Sequence, residues 1–385
     1  MSAPASASAP QQHRAKEIFI VAGEASGELH GAAVASEITA MRSAIPLAGI
    51  GGVRMEEAGV DLVERAERLA VMGFVEVIRH VPEHWKLMRR LEQRLKDGKV
   101  GVLMLIDYPG FNLRLAERAS QAGVPVLYYV TPQVWAWGAK RIPRIARLVT
   151  RAAVIFKFEE ELLREHGVDV TFVGHPLLDR AKDLPSRAEA RRQLSLHNDA
   201  PVLALFPGSR AQEIARHLDD FVATARELEQ RIPNLQVIVS VAPGVELDGE
   251  RCPYRMVHGN SFRVLRAATA AMCKSGTTTL EAAVADCPMV VAYKTSGWTY
   301  SIARRVVKIP HIGLVNIVAG RELAREFVQN DLVPAKVARA LEPLLREESE
   351  ERLEMLGGLA EVRSRLGTPG AAHRVAEMAL GMYDA

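Results

Sequence analysis

The chain has 385 residues, 48% of them hydrophobic and 25% charged, with a formal charge of +3. That is long for one domain and suits two. The composition is that of a soluble globular protein, and so small a charge excess does not point to nucleic acid as the main partner. Three cysteines, Cys252, Cys273 and Cys287, lack metal-type spacing and fit unpaired thiols in a reducing compartment.

In chain order, residues 1–16 read as a disordered tail, because Met1 to Gln12 is rich in Ala, Ser, Pro and Gln and has no apolar stretch of signal-peptide type. Short apolar runs then alternate with helical stretches. Ile18–Ala22 leads into Gly23-Glu24-Ala25-Ser26-Gly27-Glu28, where Ser26 is the expected cap of a helix through Ala32, Val34 and Ile38. Further strands are expected at Leu47–Ile50, Val102–Ile106, Val124–Val130, Ala152–Phe156 and Val170–Val173. The uncharged stretch between Arg118 and Lys140 is interrupted by Pro125, Pro132 and Gly138, and reads as a buried strand plus loop, not a membrane span.

Asp179–Asp199 reads as a linker plus a helix. A second series follows at Val202–Phe206, Val237–Val241, Met256–Val257, Ala270–Cys273 and Met289–Ala292. Continuous apolar runs fit strands covered on both faces. The expected fold is α/β, with two Rossmann-like parallel-sheet domains facing a cleft and ligands at the carboxyl ends of the strands. The expected boundaries are 17–185, 186–350, and 351–385 for helices packing back on the first domain.

Five segments carry candidate chemistry. Phe206-Pro207-Gly208-Ser209-Arg210 takes a strand into a small-residue turn before a helix, where free N–H groups suit a phosphate and Arg210 adds charge; a plain turn is the alternative. Lys274-Ser275-Gly276-Thr277-Thr278-Thr279-Leu280-Glu281 repeats that arrangement with three hydroxyls, and Glu281 is placed to accept from ribose; a helix capped by Ser275 or Thr277 is the alternative. Two such turns in one domain favour a nucleotide diphosphate. Asp107, which follows the apolar run within Leu105–Asn112, is either a general base at the sheet edge or a helix cap, and spacing leaves both open. Lys140, Arg144, Arg147 and Arg151 form a basic stripe on a helical period, for lipid phosphates or for solvent. Val71–Leu91 mixes many large apolar groups with basic ones, for acyl chains and a membrane interface or for a core-facing helix pair. No G-x-G-x-x-G follows the first strand and no D-x-D occurs, so neither a nicotinamide cofactor nor a carboxylate-bound metal is expected.

Together these segments resemble lipid-A-disaccharide synthases, bacterial glycosyltransferases of the GT-B architecture (family 19). The likeness runs from Ile18 to about Val333. It is carried by Ala22–Glu28, Gly49-Ile50-Gly51-Gly52, Met72–Val77, Ile106–Asn112, Tyr129–Trp137, Phe172–Leu177, Pro207–Arg210 and Ser275–Glu281. The resemblance implies transfer of a sugar from UDP-2,3-diacylglucosamine to 2,3-diacylglucosamine 1-phosphate (lipid X), with inversion, to give a β-1,6-linked disaccharide phosphate and UDP. It implies Asp107 as base with Arg210 also catalytic, and Ser209, Arg210, Ser275, Gly276, Thr277, Thr278, Glu281, Asn316, Glu326 and Gln329 around the UDP-sugar. It assigns Gly23, Ser26, Met72, Phe74, Val75 and Trp85 to acceptor and lipid. It implies no cofactor, no metal, and a peripheral place on the cytoplasmic face of the inner membrane. The chain departs from the family at Arg325, where Pro is usual, which bears on the geometry around Glu326. Two other readings are a non-hydrolysing UDP-sugar 2-epimerase of the same architecture and a non-catalytic lipid-binding module.

Overall fold

The computed structural model describes residues 15–66, 77–247, 249–297 and 310–385. The chain divides into two compact units. One comprises residues up to Val173 together with Ala371–Ala385, the other Gly174–Gly370. The division falls ahead of the expected 185.

In the first unit, the described strands are β1 (Glu17–Ala22), β2 (Leu47–Gly51), β3 (Asp61–Arg65), β4 (Val100–Ile106), β5 (Val126–Tyr129), β6 (Arg151–Val154) and β7 (Val170–Phe172). They form one sheet in the order 3-2-1-4-5-6-7, and each pairing is parallel. All six positions of β1 are buried, as expected of a strand with helices on both faces. Its one charged residue, Glu17, is ion-paired with Arg94, which also lies over the Phe19 ring. β3 was not expected. Its sequence, Asp-Leu-Val-Glu-Arg, belongs to a partly exposed edge strand with no continuous apolar run.

The second unit contains β8 (Val202–Phe206), β9 (Gln236–Val241), β10 (Arg255–His258), β11 (Ala270–Lys274), β12 (Met289–Tyr293) and β13 (Glu326–Val328). Their order, 10-9-8-11-12-13, repeats the topology of the first sheet, again in parallel. The three-residue edge strand β13 is too short to show in a pattern of apolar runs. In both sheets the winding reverses next to the first strand, between β1 and β4 and between β8 and β11. Such switch points open a crevice beyond the carboxyl ends of the strands.

Only the last helix returns to the first unit. Ala371–Tyr383 packs along helix Ala25–Met41, with Asp384 on Arg42 at 2.6 Å and His373 on Glu37 at 2.9 Å. The Tyr383 ring fits because residue 101 is glycine; a Cβ there would stand 2.9 Å from it. Helix Glu350–Arg365, expected with it, belongs to the second unit. Its buried Arg352 donates to the carbonyls of Thr269 and Leu344, and Arg365 to those of Val318 and Ala319.

Candidate functional site

The candidate chemistry sits at the two switch points, one in each unit. In the first unit, β4 ends at Ile106 and the next two residues both adopt left-handed backbone, Asp107 at φ 47° and Tyr108 at φ 46°. Non-glycine residues seldom do so. The conformation is over-determined. The amide of the fully buried Asn112 donates to the carbonyls of Ile106 (3.1 Å) and Asp107 (2.7 Å), and the Tyr128 hydroxyl donates to the Asp107 carbonyl at 2.7 Å. Pro109 then opens helix Pro109–Gln121, a position its ring geometry favours. The Tyr108 ring lies across the β1 turn, where a Cβ on Gly23 would stand 2.5 Å from it, so only glycine fits there. Burial, then the neighbouring Glu24 charge, push the Asp107 carboxyl above the ordinary aspartate range. A half-buried carboxylate with raised proton affinity is suited to accept a proton near neutral pH.

Ser26 does not cap the following helix. Helix Ala25–Met41 begins two residues earlier than that cap implies, with Glu24 at the cap position, and Ser26 is exposed in the first turn. Met72, Phe74 and Val75 lie outside the described residues. On helix Val77–Lys96, Leu87, Leu91 and Leu95 face the core at a spacing of four, while Trp85 is 59% exposed beside exposed Lys86, Arg89 and Arg90. The basic stripe is not one helix face. Helix Ile142–Leu148 ends before Arg151, which lies in β6 and pairs with Asp169. Trp135 donates to the buried Glu159 at 2.9 Å, and burial pushes that carboxyl up to about 7.

In the second unit, β8 and β11 are neighbours, with Phe206 opposite Cys273, so the turns that follow them lie side by side. Gly208 has φ 147° and Gly276 φ 155°. A side chain on Gly208 would stand 2.6 Å from the Cβ of Glu213. Ser209 and Arg210 are exposed at the mouth of the first turn. In the second turn the Ser275 hydroxyl donates to the Ile312 carbonyl at 2.7 Å, Thr277 is exposed and Thr278 half-buried. Thr277 occupies the cap position of helix Thr278–Val284 without a side-chain cap bond. Glu281 is buried and accepts from Arg180 at 3.2 Å.

Asn316, Glu326 and Gln329 bind backbone. Asn316 accepts from the N–H groups of Leu323 and Ala324 and donates to the Ala324 carbonyl and Glu326. Glu326 also accepts from Ile312 and Gly313, at the start of helix Leu314–Ala319. Gln329 exchanges two hydrogen bonds with Thr295. Arg325 does not disturb this arrangement: its carbonyl accepts from Val291, its guanidinium lies over Phe327, and Glu326 stays in register opposite Val291.

Several residues around these turns were not singled out from sequence. Glu213 accepts from Ser209 N–H at 3.0 Å and from Lys274 at 2.9 Å. The fully buried His217 joins the Glu213 carbonyl (2.7 Å) to the Lys294 N–H (2.8 Å). Accepting at Nε2 makes it a neutral donor at Nδ1, in keeping with burial, which lowers its proton affinity. Its helical spacing from Glu213 is the only signal that sequence offered.

Comparison with known proteins fits this geometry. A family profile described as Lipid-A-disaccharide synthetase matches residues 18–363. The lipid-A-disaccharide synthase of Trichlorobacter lovleyi is 40% identical over 378 residues, covering 96% of this chain and 98% of that protein. That of Myxococcus xanthus is 39% identical over 370 residues, covering 94% and 96%. Among solved structures, Medicago truncatula UGT71G1 complexed with UDP-glucose matches with a TM-score of 0.62 at 12% identity, covering 96% of this chain and 97% of that one. The UDP-GlcNAc 2-epimerase from Neisseria meningitidis bound to UDP-GlcNAc gives 0.60 at 12% identity, covering 95% and 100%. Those two share the fold, and the fold alone does not separate a transferase from an epimerase. Sequence identity near 40% over almost the whole length does: the chain belongs to the lipid-A-disaccharide synthase family, glycosyltransferases of lipid A biosynthesis.

Proposed function

We propose that the enzyme condenses UDP-2,3-diacylglucosamine with 2,3-diacylglucosamine 1-phosphate by a single inverting displacement. Asp107 takes the proton of the acceptor 6-hydroxyl as that oxygen attacks the anomeric carbon. The bond from that carbon to the diphosphate oxygen breaks, and UDP leaves. Ser209, Arg210 and the turn Ser275–Thr278 receive the diphosphate, and Glu281 receives the ribose. Asn316, Glu326 and Gln329 act on the donor by fixing the backbone beside it. The support is that one unit carries a carboxylate of raised proton affinity at its switch point and the other a cation- and hydroxyl-rich pair of turns at its own, in a chain of this family. Mixing both lipid substrates with the enzyme should release UDP and yield a product of disaccharide mass. Release without a disaccharide, or isomerised UDP-sugar alone, would defeat the proposal and favour a carrier or an epimerase.

The same reading places the enzyme peripherally on the cytoplasmic face of the inner membrane, with the Val71–Leu91 segment, including Met72, Phe74, Val75 and Trp85, at acyl chains or lipid and the Gly23–Ser26 turn at the acceptor. Among the described residues no helix is long and apolar enough to cross a membrane. Exposed Trp85 with its basic neighbours has the composition of an interfacial contact. Trp85→Ser should reduce sedimentation with anionic vesicles, and unchanged sedimentation of a folded variant would remove this part of the proposal.

A further inference from the structure

The turn after β8 already holds an anion, and it is the protein's own. Glu213 lies in the first turn of helix Ala211–Glu229 and folds back over Gly208. One carboxylate oxygen accepts from Ser209 N–H at 3.0 Å and lies 3.5 Å from the Ser209 hydroxyl. The other accepts from Lys274 at 2.9 Å and stands 3.7 Å from the Arg210 guanidinium. Lys274 is the last residue of β11, the strand beside β8, and its ammonium is 5.8 Å from the centroid of the Tyr293 ring. Burial alone would raise the Glu213 carboxyl, but Lys274, Ser209 and Arg210 outweigh it and hold the group below the ordinary glutamate range. Glu213 is therefore an anion throughout neutral pH.

We propose that Glu213 is an internal stand-in for a phosphate group, and that Lys274 is a second cation, beside Arg210, which passes from Glu213 to the diphosphate of a bound nucleotide. This rests on the reading of the second unit as a UDP-sugar site. A point where two cations, an N–H and a hydroxyl converge is one where negative charge is favoured. Ser209 N–H belongs to the backbone of the turn and Lys274 ends a strand, whereas Glu213 reaches them through a flexible side chain that can swing away. The exchange leaves Lys274 paired at both stages, which avoids the cost of stranding a partly buried charge. A Glu213 that merely braced the turn would have the opposite effect on affinity.

Titration calorimetry of the full chain with UDP and with uridine tests this. Glu213→Gln should tighten UDP binding roughly threefold to tenfold and leave uridine unchanged, because a neutral amide competes less for the cations. Lys274→Met should weaken UDP about tenfold and flatten its salt dependence, again without affecting uridine, and Lys274→Arg should restore most of the loss. Uridine affinity also reports that the variants are folded. Weaker UDP binding by Glu213→Gln, or wild-type UDP affinity in Lys274→Met, would overturn the inference alone. A wild-type chain that does not bind UDP would overturn the donor reading itself.

Discussion

The two switch points share a topology and differ in electrostatics. Each lies where the strand order reverses, and each carries a glycine against which a side chain of its own unit is packed, Tyr108 on Gly23 and Glu213 on Gly208. The carboxylates diverge. Asp107 is pushed up by burial and by Glu24, while Glu213, also subject to burial, is held down by Lys274, Ser209 and Arg210. One environment suits taking a proton and the other suits holding negative charge. Residue type does not decide the role; the neighbours do.

The largest test of this contrast is Asp107→Asn. Loss of a general base costs roughly 10²–10⁴ in rate, about 3–5 kcal/mol, so UDP release should fall by that factor while UDP affinity holds. Normal turnover would end the assignment. Because the Asp107 carboxyl titrates above the ordinary aspartate range, activity should fall as pH drops through that raised value. The variant should lack this acid limb.

A second test asks whether burial also governs another carboxyl of the first unit. Glu159, 3% exposed, titrates at about 7 in the folded chain, above the value of an unfolded glutamate. Below the unfolded value it is protonated in both states and costs nothing. Its penalty grows as pH rises towards 7 and is constant above. Stability should therefore be lower at pH 8 than at pH 5 by on the order of 2–3 kcal/mol from this group. Thermal unfolding of Glu159→Gln should show a flatter pH dependence, and an unchanged slope would assign the sensitivity elsewhere.

Asn112→Ala comes next. It leaves the left-handed pair at Asp107 and Tyr108 without the amide that holds the carbonyls of Ile106 and Asp107, at a cost of about 2 kcal/mol by denaturant unfolding. Turnover should fall with it while UDP affinity stays, since Asn112 belongs to the first unit. The smallest effect is expected for Arg210→Ala, the mirror of Asp107→Asn. Its side chain is 75% exposed, so UDP binding should weaken only about tenfold by calorimetry. A variant that lost turnover at full UDP affinity would collapse the distinction between the two turns.

Most strands of both sheets were legible as apolar runs, because a strand covered on both faces has no polar positions to interrupt it. Edge strands β3 and β13 were not, since one is partly exposed and the other three residues long. The motif turns were legible at Asp107, Ser209–Arg210 and Ser275–Thr278 for a related reason: glycines and hydroxyls at strand ends are local features. Their partners were not. Nothing local joins Tyr128 to the carbonyl of Asp107, or Arg180 to Glu281, or Lys274 to Glu213, which is 61 residues away in sequence.

By itself, then, the sequence determined the parallel α/β class, the two-fold repetition and the family, because these depend on periodicity and on residues adjacent in the chain. Tertiary structure alone decided that helix Ala371–Tyr383, without Glu350–Arg365, joins the first unit. It also decided that Asn316 and Glu326 bind each other and the backbone, and that two carboxylates acquire opposite proton affinities. The physical reason is common to all three: burial, charge proximity and hydrogen-bond satisfaction are set by groups that meet only after the chain has folded.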